Sequence, residues 1–359
     1  MNLSYKPPLP EARFPILIIG TGGIVKDAHL PAYRKAGFPV WGFFNRTRER
    51  AAALAREYGI ANVFDNLDAA LSAVPSDVIY DLALPASMFA DTLRRLPKGS
   101  HVLIQKPMGE NLQQAREVLA VCRERSLHAA INCQLRFAPF VMAARYLLEQ
   151  GFIGDLIDME MRLTTMTPWH LFPFLNGLPR MEIVYHSVHY IDLFRSFLGE
   201  PRSVYARTCS HPALPELASV STAILLDYPD PVRATITTNH MHRFGSRHQE
   251  SYLKWEGTRG AIKAGVGLLV NYPQGTGDTF EYCQLDTHGQ PGEWHSEQLE
   301  GSWFPEAFIG SMAQVQRHKE GSLPQMPTDV SDVIHTMEVV EAAYASSRRG
   351  GVSPKDFAL

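Results

Sequence analysis

The chain has 359 residues, of which 45% are hydrophobic and 20% charged, and its formal net charge is −3. That length supports two domains with separate cores, and the absence of a long basic run leaves nucleic acid and anionic membrane surfaces without an evident binding face. Cys122, Cys133, Cys209 and Cys283 share no zinc or redox spacing, no run reaches a membrane span, and residues 1–13 lack a signal-type apolar core, so a soluble cytoplasmic protein with free thiols is expected.

Ile16-Leu17-Ile18-Ile19 predicts a buried parallel strand. Gly20-Thr21-Gly22-Gly23 follows, and Ile24, Ala28, Leu30 and Tyr33 then space a helix or a loop that becomes one. Strand, glycine turn and helix N-terminus form a phosphate cradle, because free amides and the helix dipole face an anion. This is the first half of a dinucleotide fingerprint, with Val25 where a third glycine or alanine is usual; an ordinary βα turn is the alternative.

Further alternation follows. Strands are expected at 40–44, 63–64, 78–84, 101–105 and 128–133, and helices at 48–58, 67–73, 88–96 and 112–125. Repeated βα units of this length predict an α/β fold with a doubly wound parallel sheet over residues 14–136. Beyond a boundary near Arg136 to Pro139 the rhythm changes. Helices are expected at 140–150, 188–198, 308–318 and 330–347, with strand-like runs at 156–165, 203–208, 221–227, 233–239, 251–255 and 261–263. Residues 137–359 are therefore expected to form an α+β domain with an open, mostly antiparallel sheet.

Several landmarks now stand in register. They are Gly20 to Ile24 with His29-Leu30-Pro31, Pro85 after the fourth strand, and His101 to Pro107. Then come Asn132 to Phe137, His189-Tyr190-Ile191-Asp192 with Leu198 to Pro201, Glu256 to Gly260, and Glu341 to Ser346. In these the chain resembles the Gfo/Idh/MocA family of oxidoreductases, from Ile16 to about Val352. The resemblance implies an N-terminal Rossmann domain and a C-terminal sheet domain that forms homodimers or homotetramers. It also implies hydride transfer between a nicotinamide cofactor and a sugar or polyol hydroxyl or carbonyl. Two other outcomes within it are a closed redox cycle on retained cofactor and a non-catalytic nucleotide-binding regulator.

Lys106 ends a strand and precedes Pro107, at the sheet edge where Rossmann ligands sit; its ammonium can hold a substrate oxygen. The resemblance places it in a Glu-Lys-Pro motif beside nicotinamide and substrate, but here Gln105 replaces the glutamate. His189 is the expected base, one helical turn from Asp192, and His186 stands one turn earlier. The family's earlier aspartate is Tyr185 here, so Tyr185 or His186 is expected to share the work. His186 and His189 alone lack a third ligand at motif spacing, and no metal is expected.

Nucleotide contacts are expected at Gly20, Thr21, Gly22, Gly23, Ile24, Asn45, Arg46, Leu84, Pro85, Gln105 and Lys106. A neutral Asn45 and a cationic Arg46 after the second strand favour NADP over NAD, since that position usually carries an acid for the ribose 2′-hydroxyl. Phe89, where the family commonly has histidine, is expected only to pack. Residues 167–175, aromatic and proline-broken, suggest a loop over a pocket, with Trp169 to stack on a sugar and His170 or Arg180 to bind hydroxyls or a carboxylate; a hydrophobic plug or a subunit contact is the alternative. Arg136 is a further substrate candidate or a structural ion pair.

Overall fold

A computed structural model describes residues 3–353; the last residues of the expected second domain, 354–359, lie outside the described residues. Two compact units emerge. One comprises the chain up to Leu147 together with Leu299–Met337, and the other Leu148–Gln298 together with the chain from Glu338 on.

In the first unit, β1 (Ile16–Ile19) leads through the glycine turn into a π-helical turn at Val25–His29 and then α1 (Leu30–Ala36). Alternation continues through β2 (Val40–Phe44), α2 (Arg48–Tyr58), β3 (Asn62–Phe64), α3 (Leu67–Ala73), β4 (Ile79–Leu82) and α4 (Phe89–Arg95). The series closes with β5 (His101–Ile104), α5 (Leu112–Glu124), β6 (His128–Ile131) and α6 (Pro139–Glu149). The six strands are ordered β3-β2-β1-β4-β5-β6 and all pair in parallel. This is the doubly wound order, and its direction reverses between β1 and β4. Local chemistry sets the helix ends. Asn66 and Asn111 cap α3 and α5 by accepting from backbone amides, and Gly37 and Gly59 stop α1 and α2 in the left-handed conformation, both at φ 69°.

The second unit holds β7 (Leu156–Thr164), a π-helical turn at Ile183–Ser187 running into α7 (Val188–Leu198), β8 (Ser203–Cys209), β9 (Ser221–Asp227) and β10 (Arg233–Asn239). It continues with β11 (Glu250–Gly257), β12 (Gly260–Gly265), β13 (Thr279–Gln284) and β14 (His295–Ser296). Its eight strands are ordered β14-β13-β12-β11-β7-β10-β9-β8. Neighbours are antiparallel except β7 and β10, which run parallel. Period-two burial is clean: Thr222, Ile224 and Leu226 of β9 and Ala234, Ile236 and Thr238 of β10 face inward.

The units are not continuous in sequence, since residues 299–337 return to the first. α8 (Glu306–Glu320) follows the second sheet in sequence but belongs to the first unit. Its Phe308, Met312 and Val315 join Ile16, Ile18, Tyr33 and Phe43 in one buried cluster, so its apolar face has its partner there. α9 (Val330–Arg349) begins in the first unit and ends in the second. In its later turns Ser346 and Ser347 accept from the β8 amides of Ala206 and Thr208 at 2.9 and 3.0 Å. β13 and β14 lie outside the expected strands.

Candidate active site

In the first unit the glycine turn sits at the reversal point of the sheet, where α/β folds bind ligands. Gly20 has φ 101°, and a Cβ there would lie 2.3 Å from the carbonyl oxygen of Ala83, beyond β4. Only glycine lets these two strand ends come so close. Gly22 faces open space, and both Gly22 and Gly23 are exposed. Thr21 Oγ1 is buried without a hydrogen-bond partner. The turn is therefore open on its outer side and carries an unspent polar atom, which fits a dinucleotide's phosphates. Leu84 and Pro85 flank it from the end of β4, with Leu84 Cδ2 3.1 Å from the same virtual Cβ of Gly20.

Asn45 closes the neighbouring turn after β2. Its Oδ1 accepts from the Thr21 amide at 3.4 Å, and its Nδ2 donates to the Thr47 carbonyl at 2.8 Å. The amide side chain is thus spent on the protein, whereas Arg46 and Arg48 remain exposed beside the first turn of α2, which has no side-chain cap.

Gln105 and Lys106 follow β5. Gln105 is buried and accepts from the Lys106 amide at 2.8 Å. Its Nε2 lies 3.2 Å from His29 Nε2, and Asn132 Nδ2 lies 3.3 Å from the same atom. His29 Nδ1 lies 2.7 Å from Asp81 Oδ2, to which Tyr33 also donates at 2.7 Å. Two amides that donate to Nε2 place the imidazole proton on Nδ1, facing the carboxylate. A buried relay therefore runs from Asp81 through His29 and Gln105 to the backbone of Lys106. Lys106 keeps part of its surface exposed, yet burial around the ammonium pushes its pKa down to about 8, with Cys133 acting weakly in the other direction.

The second unit has its own buried polar cluster around Glu182. Ser187 donates to both carboxylate oxygens at 2.9 and 3.0 Å, Thr238 donates to Oε1 at 2.8 Å, and Thr222 makes a short bond to Oε2. His240 Nε2 lies 3.4 Å from Oε1. Burial alone would push this carboxyl up, but His240 and the two threonines outweigh it and hold it below its ordinary value. Ser187 closes the π-helical turn that carries Tyr185 and His186, and α7 then presents His189 and Asp192, both buried. A π-turn spreads five residues where an α-turn spreads four, so His186 leaves the register assumed from its spacing to His189. Its ring packs against Trp169 at 5.6 Å and His240 at 4.6 Å.

Other expected contacts fall differently. Trp169 is 7% exposed and lies in a satellite core with Leu175, Met181, Leu217, Val220 and Met241. The Trp169 ring is covered by these apolar neighbours, whereas Leu171 and Phe174 of the same proline-broken segment stand exposed. His170 is exposed. Arg180 lies 3.9 Å from the centre of the Tyr344 ring and donates to Glu341 at 2.9 Å. Arg136 donates to Asp332 at 2.7 Å and to the Pro327 carbonyl at 2.8 Å, the ion-pair alternative. Phe89 is fully buried, as expected for packing. The buried acids Asp81 and Glu182 escaped sequence reading; an acid inside the apolar run 78–84 was the available signal for the first.

Comparison with known proteins agrees with this architecture. Residues 14–132 match the oxidoreductase family with NAD-binding Rossmann fold, and residues 141–263 match the GFO/IDH/MocA C-terminal domain. The chain belongs to the Gfo/Idh/MocA family of oxidoreductases. It is 31% identical to an uncharacterized protein of Saccharomyces cerevisiae over 53% of this chain and 57% of that one. It is 24% identical to the D-apiose dehydrogenase of Paraburkholderia graminis over 94% of this chain and 88% of that one. An Agrobacterium radiobacter oxidoreductase, solved with NAD+, L-tartaric acid and magnesium, shares the fold at TM-score 0.77 and 18% identity, covering 96% of this chain and all of that one.

Proposed function

We propose that this oxidoreductase acts on a hydroxyl or carbonyl of a sugar or polyol, with Lys106 and His189 in the oxygen-binding and proton-transfer roles. The observation that carries the reading is Lys106, a lysine with a depressed pKa at the carboxyl end of β5, in the same sheet as an open glycine cradle. D-apiose dehydrogenase, similar along most of the chain, supports a sugar as the substrate class. Bound nicotinamide dinucleotide supplies the hydride acceptor or donor.

The remaining chemistry belongs to the chain. Gly20 to Ile24 hold phosphates through backbone amides. Lys106 donates a hydrogen bond to the substrate oxygen and favours its alkoxide character. His189 takes the hydroxyl proton during oxidation and returns it during reduction, with Tyr185, His186 and Asp192 as its neighbours in sequence. Exposed Arg46, next to a spent Asn45, supports NADP as the cofactor, because a guanidinium can pair with a 2′-phosphate. Tyr205 and Leu225, directly paired on β8 and β9 and both exposed, support a homo-oligomer built on that sheet face.

The test is a sugar and polyol screen with NADP and NAD, repeated on Lys106→Met. Turnover that disappears in the variant while nucleotide still binds supports the reading. Unchanged turnover in Lys106→Met contradicts it.

A further inference from the structure

At the opposite end of the first sheet, three histidines converge. His101 opens β5 and His128 opens β6, and the two stand in register on adjacent parallel strands. Side chains at paired positions of parallel neighbours project to the same face. His318 reaches them from the last turn of α8, which Phe308, Met312 and Val315 hold against the unit's core. Ring centres lie 4.6 Å apart for His101 and His128, 5.2 Å for His101 and His318, and 4.9 Å for His128 and His318. His101 Nε2 and His318 Nδ1 are 3.0 Å apart, and one ring nitrogen from each residue falls within 4.8 Å of the others.

We infer that His101, His128 and His318 form a binding site for a divalent transition ion, zinc by the chemistry of its ligands. Three neutral imidazoles are a ligand set that zinc accepts, with a water as fourth ligand. Two nitrogens of a tetrahedral zinc site stand about 3.4 Å apart, given metal–nitrogen bonds of about 2.0–2.1 Å. A plain imidazole–imidazole hydrogen bond explains the His101–His318 contact, and stacking explains the His101–His128 pair, but neither requires one nitrogen of each of the three rings to converge. His128 is exposed, which leaves room for the water and a path for the ion.

Lys319 opposes a cation here, whereas Asp329 near His318 and Asp77 near Lys319 offset it. The ion would tie residues 101, 128 and 318 together, and so clamp α8 onto the sheet after the chain has returned from residues 148–298 of the second unit. Its position at the amino ends of β5 and β6 separates it from the glycine cradle, so the clamp is structural.

The full chain, without an affinity tag and stripped with a chelator, is titrated with zinc sulfate alone by calorimetry and by thermal melting. One zinc per chain is expected. At a hundredfold excess over Kd the melting temperature should rise by about 4–7 °C. His128→Ala, at an exposed position, and His318→Gln should each abolish both signals, while Cys209→Ser should leave them intact. Cobalt(II) should give the intense visible bands of a four-coordinate site, again lost in His128→Ala. Absence of stoichiometric binding to the parent chain would overturn the site, as would equal binding by His128→Ala and His318→Gln.

Discussion

Glu182 in one unit and Asp81 in the other are each fully buried in a hydrogen-bonded cluster, but the two clusters are built for different ends. Glu182 has both oxygens engaged, by Ser187, Thr222 and Thr238, with His240 alongside. Asp81 has one oxygen engaged, by His29 and Tyr33, while its Oδ1 is buried without a partner. The first is a saturated anchor that joins a π-turn to two strands. The second is an unsaturated relay whose far end holds the Lys106 amide through Gln105. Saturation marks a group that holds the fold, and a chain of single bonds ending at a reactive residue marks one that positions it.

Replacing the two residues proposed to act on the substrate should give the largest effects. Lys106→Ala and His189→Ala should each lower kcat by about 10²–10⁴-fold, as general acid–base and oxyanion groups do. Lys106→Ala should leave the melting temperature within a few degrees of the parent. A collapse in stability instead would mean that the relay serves the fold as well.

Glu182→Ala should act the other way. Removing a saturated buried carboxylate strands its donors and should cost about 2–4 kcal/mol. Calorimetric melting should show it, and the loss should also depend on pH. A carboxyl held below its ordinary value of 4.5 stabilises the fold above that pH, and the contribution fades as pH falls through the folded value. The parent chain should therefore lose stability toward acid more steeply than Glu182→Ala.

Asp81→Asn should cost about 1–2 kcal/mol, because the amide oxygen can still accept from His29 and Tyr33 while the new NH2 group is buried where the carboxylate oxygen had no partner. A loss as large as that of Glu182→Ala would erase the distinction between anchor and relay.

The smallest effect concerns tuning. In the reducing direction the charged ammonium is needed, so kcat/KM should fall as pH rises through about 8. Lys106→Arg should remove that alkaline limb. Gln105→Glu, which restores the carboxylate common in related motifs, should move the limb upward, because a nearby negative charge favours the ammonium. A limb unmoved by both variants would assign it to another group.

Much of this was legible from the amino acids. Apolar runs bounded by glycine and proline gave the strands of the first unit, and strict alternation gave β9 and β10. β13 was hidden because Thr279–Gln284 lies between glycine- and proline-rich stretches and carries few branched residues. α8 showed its helical spacing, but spacing does not name a partner, so its return to the first unit was invisible. Lys106, the glycine turn and the His189 helix announced themselves by local motif. Asp81, Glu182 and the three histidines did not, since their partners stand tens to hundreds of residues away and meet only through strand register and helix packing. Trp169 shows a related limit: the same ring can line a pocket or fill a core, and only its neighbours decide.

The central claim is that the turn at Gly20 to Ile24 holds a nicotinamide dinucleotide, with Arg46 favouring the phosphorylated form. Titration of the purified chain with NADPH and NADH, followed by nicotinamide fluorescence, tests it directly. The account predicts saturable binding of both, tighter for NADPH, with the difference narrowed in Arg46→Ala. Binding of neither, together with no nucleotide released when the protein is denatured, would contradict it.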